Sequence, residues 1–170
     1  MMTEDPVPEA PAPQRRLITA RSEYQEAINT LLPMAQRELR VFDPDLSDLR
    51  LHVPERIALL REFLARSRNN RLYIAVHKTH FIEQRAPRLI NVLGLFAANI
   101  FIHRTQGDAA RIEDCFILCD EAHLVRRPVA AQPRGVILTH DLDEGARMRD
   151  RFDQIWESSE PGVSANASGL

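Results

Sequence analysis

Hydrophobic positions along this chain switch repeatedly between a period of two and a period near 3.6. LITA (17–20) is a short apolar strand. Ser22 and Gln25 are three apart and form a capping box, which opens a helix. Tyr24, Ala27, Ile28, Leu31 and Leu32 give that helix one apolar face. The stretch 38–42 (ELRVF) reads as a strand that stops at Asp43-Pro44-Asp45, where Pro44 removes a donor from the ladder. Pro54 suits the first turn of the next helix, whose stripe is Ile57, Leu60, Phe63 and Leu64. LYIAV (72–76) is apolar at nearly every position, which predicts the centre of a sheet covered on both faces. Residues 79–97 hold one or two helices, with Pro87 starting the main one, and NIFIH (99–103) is another strand.

The last third changes character. CFILC (115–119), a short Asp-Glu-Ala turn and HLVRR (123–127) read as a hairpin. RGVILT (134–139) adds a strand. Asp141 and Glu144 form a second capping box. The helix it opens carries Leu142, Met148, Phe152, Ile155 and Trp156 on one face. The order β-α-β-α-β-α-β-β-β-β-α predicts an α/β fold with a mixed, mostly parallel sheet and helices on both faces. Residues 1–14 are rich in Pro, Ala and Glu and predict a disordered arm; 15–158 form the domain; 159–170 predict a flexible tail.

Composition narrows the class. The chain has 170 residues, enough for one domain, and 44% are hydrophobic. The N-terminus offers acids and prolines where a secretory signal needs a basic start and an apolar block, and no apolar run has the length of a membrane span. A cytoplasmic protein is expected. Cys115 and Cys119 are four strand steps apart, roughly 13 Å, whereas a disulfide needs less than about 7 Å. They are therefore read as two buried thiols. A net charge of −2 gives no general pull toward nucleic acid. Lys78 is the one lysine, so local cation clusters are arginine clusters, which suit bidentate contacts with phosphate or carboxylate.

The hairpin strand ending in Asp120, the strand that follows it and the closing RFDQIWE helix (151–157) resemble the module of the phospholipase D superfamily over about 16–158. FDPDL (42–46), CFILCD (115–120) and FDQIWESS (152–159) are also similar to a bacterial family of degenerate modules of this type. Some of its members are joined to an acetyltransferase-like domain. The superfamily signature is His-x-Lys-x4-Asp, in which the histidine attacks phosphorus and the lysine stabilises the charged oxygens. The resemblance places its aspartate on Asp120, its lysine position on Cys115 and its histidine position on Glu113. An acid would repel phosphate, and a thiol supplies no cation. The positions expected for glycine, serine and asparagine fall near Arg127, Pro128 and Ala130. The resemblance thus implies a single, non-catalytic module.

Other constellations offer alternatives. His77, His80 and Glu83 are spaced by three and, on a helix, would share a face; with Asp43 and Asp45 beside them they could hold a metal. Polar loop and cap residues are the plainer reading, and no metal or other cofactor is expected. Asp43, His77 and His80 with an arginine would be the site of a re-invented phosphoester enzyme. Arg85, Arg88, Arg104, Arg111, Arg126 and Arg127 are candidates for an anion site, and an inward arginine could instead pair with Asp120 or Asp43. The expected ligand set is Asp43, Asp45, His77, His80, Arg104 and Arg127. The expected partners are a second copy or another protein, such as an acetyltransferase-like domain, docked on a sheet edge or on the hairpin through Phe116, Leu118, Leu124 and Val125. Neither a membrane nor nucleic acid is expected as a partner.

Overall fold

The computed structural model describes residues 3–7 and 9–164. Among them lie eight strands and five α-helices. Strand β1 (Gln14–Ile18) leads into α1 (Arg21–Leu31), which ends in a 3₁₀ turn. Strand β2 (Glu38–Asp43) is followed by α2 (Pro54–Arg66), and β3 (Arg71–Val76) by α3 (His80–Arg85) and α4 (Pro87–Leu95). Next come β4 (Ile100–Thr105), β5 (Cys115–Cys119), β6 (His123–Arg127) and β7 (Gly135–Thr139). Helix α5 (Leu142–Glu157) precedes β8 (Ser159–Val163). All eight strands form one sheet, in the order β1-β7-β6-β5-β2-β3-β4-β8.

The sheet is mixed, and it is mostly antiparallel rather than mostly parallel. Only β2–β3 and β3–β4 run parallel, each across a helical crossover. The other five pairings described are antiparallel. Residues 120–122 join β5 to β6 and 128–134 join β6 to β7, and neither connection has the length of a parallel crossover. Both chain-terminal strands also pair antiparallel, β1 with β7 and β8 with β4.

Strand alternation sorts the core into two layers. Leu39, Val41, Leu72, Ile74, Ile117 and Val125 face α1, α2, α3 and α4. Phe42, Ala75, Phe116, Leu118, Leu124 and Leu138 face α5. Helices therefore cover both faces, as expected. Pro54 and Pro87 each stand at the first helical turn, where the missing N–H costs nothing.

Four expectations need correction. The tail from 159 begins as a strand. The Ser159 hydroxyl donates to the Trp156 carbonyl, its oxygen lies 2.9 Å from His103 Nδ1, Glu160 pairs with Arg104 at 3.0 Å, and Val163 is buried. Residues 165–170, and 1, 2 and 8 of the N-terminal arm, lie outside the described residues. Ser22 is not a cap: α1 starts at Arg21 with Ala20 as N-cap, and the cap makes no side-chain hydrogen bond. The second box does cap, since Asp141 Oδ1 accepts the Glu144 amide at 3.0 Å. Leu142 sits at the first position of α5, ahead of its buried stripe, and is exposed. Phe116, Leu118, Leu124 and Val125 are all buried within the chain, so the hairpin offers none of them to a partner.

Candidate functional site

The hairpin register decides which side chains meet across β5 and β6. Cys119 opposes His123, so Cys115 opposes Arg127 at the far end of the ladder. Both follow Ile117 and Val125 onto the face covered by α1. There Arg127 Nε donates to Cys115 Sγ at 3.4 Å. Its guanidinium carbon lies 4.0 Å from the centre of the Tyr24 ring, a cation–π contact supplied by α1. The Tyr24 hydroxyl stands 4.0 Å from Cys115 Sγ. Arg127 is 3% exposed, and its nearest carboxylate is Asp48, at 3.7 Å from Nη2 and itself exposed. Gly135 lets β7 approach this end of β6, because a Cβ there would lie 2.5 Å from the Arg126 carbonyl oxygen and 3.0 Å from Arg127 Cγ.

Asp43 closes the inner side of the cluster. It is buried, and its Oδ2 accepts the amides of Leu46 at 2.7 Å and Asp45 at 3.2 Å. Its Oδ1 has no partner among the described residues. Asp45 in turn accepts the Ser47 amide at 2.9 Å and the Ser47 hydroxyl at 2.6 Å. Asp43-Pro44-Asp45 therefore acts as a pair of nested Asx turns. The loop they start passes through two left-handed residues, Leu46 (φ 73) and Arg50 (φ 57). Arg56, a buried residue of α2 that the sequence reading did not single out, ties this loop to α1. It donates to the Leu49 and Arg50 carbonyls and, across the gap, to the Gln25 carbonyl and Asn29 Oδ1 at 3.1 Å.

Electrostatics oppose nucleophilic chemistry at this cluster. Burial pushes the Cys115 thiol up, nearby Asp43 adds to the rise, and Arg127 only partly counters it. Burial also raises Tyr24 well above its ordinary value, helped by Cys115 and Asp43. Asp43 is raised by burial despite its two amide donors and Arg127. Burial alone would lower Arg127, but Tyr24, Cys115 and Asp43 more than reverse that. The outcome is a protonated thiol and a firmly charged guanidinium.

The remaining candidates are scattered. His77 follows Ala75 onto the α5 face, opposite to Asp43. There its ring meets Phe42 edge-on and is consumed by Thr105 Oγ1 at 2.6 Å and the Ile112 carbonyl at 2.8 Å. His80 and Glu83 are exposed on α3. Among the described residues, no group of three His, Cys, Asp or Glu side chains is placed to hold a metal. Arg104 is spent on Glu160. Glu113 is exposed, and the neighbouring buried acid is Asp114, which binds Arg126 at 3.2 Å and Arg151 at 2.6 Å. The arginine pairs expected at Asp120 or Asp43 thus form elsewhere. Asp120, at φ 52, lies at the opposite end of the sheet and takes the amides of Gln36, Arg37 and Glu38 at 2.8–3.0 Å.

One small cavity opens over the cluster. It measures about 300 Å³ and is lined by Arg21, Ser22, Tyr24, Gln25, Asp48, Arg50 and Arg127. Of these, only Arg127 was foreseen. Its hairpin register, computable from the turn length, was the signal that could have paired it with Cys115. A larger open groove at the Asp120 end, about 980 Å³, presents polar residues whose central carboxylate is already satisfied.

Comparison with known proteins places this geometry. Residues 20–167 match the model of a family described as a domain of unknown function, DUF7931. No curated protein matches the chain by sequence. Among solved structures, Nuc from Salmonella typhimurium, a phospholipase D family member, is similar at a TM-score of 0.62 and 12% identity, over 90% of this chain and 100% of that one. NucT from Helicobacter pylori is similar at 0.62 and 12%, over 89% and 100%. The archaeal chromatin protein TrmBL2, whose structure shows a novel mode of DNA binding, is similar at 0.62 and 13%, over 87% of this chain but 54% of its own, about half its length. The fold is phospholipase D-like. Among the described residues, no helix is long and apolar enough to cross a membrane.

Proposed function

The chain belongs to the DUF7931 family of domains of unknown function, and on that premise we propose that it is a non-catalytic phospholipase D-like module that binds a ligand in the cavity over Arg127. One observation carries this reading. Where the resemblance puts the signature lysine stands a buried thiol, Cys115, packed under Tyr24 and Arg127, and where it puts the histidine stands Glu113. A phosphoryl-transfer site needs a nucleophile within about 3 Å of the reacting atom and a cation on its oxygens. Here a cation remains and the nucleophile does not. The alternative site of Asp43, His77 and His80 is disfavoured, because Asp43 and His77 occupy opposite faces of the sheet and both ring nitrogens of His77 are engaged.

The test is turnover of bis-p-nitrophenyl phosphate by the purified chain beside its His77→Ala and His80→Ala variants. The expected result is no hydrolysis above buffer for all three. Hydrolysis by the native chain that disappears in either variant would replace this reading with an enzymatic one.

A further inference from the structure

We propose that the cavity over Arg127 is a site for a phosphate monoester dianion, gripped by Arg127 from its floor and by Arg21 and Arg50 from its rim. The proposal rests on the ligand-binding reading above and names the chemistry of the ligand.

The charge count of the cavity is the first argument. Three arginines line it against one carboxylate, Asp48. The floor arginine is buried, and its single hydrogen bond among the described residues is a weak one, from Nε to sulfur. A buried guanidinium normally has its donors satisfied by a carboxylate or carbonyl. Here the nearest carboxylate stands 3.7 Å away on an exposed side chain, a contact too long for a hydrogen bond. Asp43 lies behind the cluster and acts on the guanidinium only at longer range, with no ion pair between them among the described residues. Arg21 and Arg50 form no ion pair among the described residues.

Shape is the second argument. The guanidiniums come from three separate elements: β6, the first turn of α1 and the loop after β2. Donors brought to one cavity by three elements fit a tetrahedral group with three free oxygens better than a planar carboxylate with two. Three positive charges less one negative leave about two, which matches a dianion and not the monoanion of a phosphodiester. The first turn of α1 adds to this, because no side chain caps it and its free amides carry the positive end of the helix dipole. A volume of about 300 Å³ is at the lower end for ligand pockets and takes a headgroup rather than a polymer.

The experiment is isothermal titration of the full chain with inorganic phosphate, methyl phosphate, dimethyl phosphate and acetate at constant ionic strength. The chain should bind phosphate and methyl phosphate, and should bind dimethyl phosphate and acetate at least tenfold more weakly. Arg21→Ala and Arg50→Ala, both at exposed positions, should each weaken phosphate by about 10- to 100-fold, the worth of a charge-assisted bond. Asp48→Asn should tighten it several-fold by removing the competing carboxylate. Arg127→Lys keeps the charge but loses the fork, and should abolish the preference over acetate. Circular dichroism establishes that each variant is folded. No phosphate binding by the native chain, equal binding of dimethyl phosphate or acetate, or rim variants that bind as the native chain does, would overturn the proposal. A chain that fails these tests and hydrolyses nothing leaves the non-catalytic reading standing; hydrolysis removes that reading whatever the titrations show.

Discussion

Asp120 ends the hairpin strand β5, and its geometry makes it a structural clamp. Its Oδ1 takes the amides of Arg37 at 2.8 Å and Glu38 at 3.0 Å, its Oδ2 takes that of Gln36 at 3.0 Å, and its own amide donates to the Glu38 carbonyl at 2.9 Å. Asp120→Ala removes three bonds to a charged acceptor. Each is worth about 1.5–3 kcal/mol when fully buried, but the residue is half-buried and the three act as a unit, so about 3 kcal/mol together is a fair net figure. Alanine at φ 52 adds about 1 kcal/mol of left-handed strain. The sum, about 4 kcal/mol, corresponds to a fall in the urea midpoint of about 2 M for a slope near 2 kcal/mol per M. Asp120→Gly removes the bonds without the strain and should lose about 1 kcal/mol less. Asp120→Asn keeps the acceptor facing Arg37 and Glu38 but turns a donor toward Gln36, and should lose about 1–2 kcal/mol. Urea unfolding followed by tryptophan fluorescence and circular dichroism measures all three. An alanine variant within about 0.5 kcal/mol of the native chain, or one no weaker than the asparagine variant, would refute the clamp.

Other substitutions probe other contacts. Gly145→Ala gains about 1 kcal/mol of helix propensity. Its Cβ, however, would overlap the Glu121 carbonyl oxygen and lie 2.7 Å from the carbonyl carbon, so α5 must lift from the β5–β6 turn. A net loss of about 2 kcal/mol, or about 4–8 °C in Tm, is expected by calorimetry, and an unchanged Tm would contradict the close packing. Asp43 has its folded pKa raised above the ordinary 3.8. Its contribution to stability is therefore fully present below 3.8 and is lost as pH rises through the folded value. Asp43→Asn abolishes that slope, at most about 1.4 kcal/mol per pH unit, so it should gain on the native chain as pH rises; parallel urea midpoints across that range would show the carboxyl to be unperturbed. Cys115 and Cys119 are buried, free and raised by burial. Ellman's reagent should therefore label neither in the native chain and both in urea, and rapid native labelling would contradict the packing of Cys115 beneath Tyr24.

The elements that were legible in the sequence are those whose burial pattern is local. The stripe Ile57, Leu60, Phe63 and Leu64 declared α2, and all four are buried. Pro54 and Pro87 marked their helix starts because proline acts at its own position. Strand direction was harder, because alternation gives the period of a strand and says nothing of which way its neighbour runs. SEPGV (159–163) carries no strand signal at all, and it pairs because β4 presents a free edge and His103 and Arg104 meet Ser159 and Glu160 there. At the site, Arg127 could be read from its place in the hairpin. Tyr24 could not, since an aromatic on an amphipathic helix looks like core until the register of the strand beneath it is known. His77 misled for the same reason: its neighbours along the chain suggested a cluster, and the pleat turned it away.

The placement of β1 and β8 at opposite edges of the sheet determines how the domain responds to force. Seven inter-strand steps of about 4.8 Å separate them, roughly 34 Å in all. A load applied at Pro13 and Ser164 therefore pulls across the strands, within the plane of the sheet. It meets the hydrogen bonds of β1–β7 and β4–β8 one after another, as a zipper is opened, instead of shearing a whole ladder at once. In a single-molecule pulling experiment the edges should peel at low force. The inner strands β5, β2 and β3, each held on both sides, should give way last.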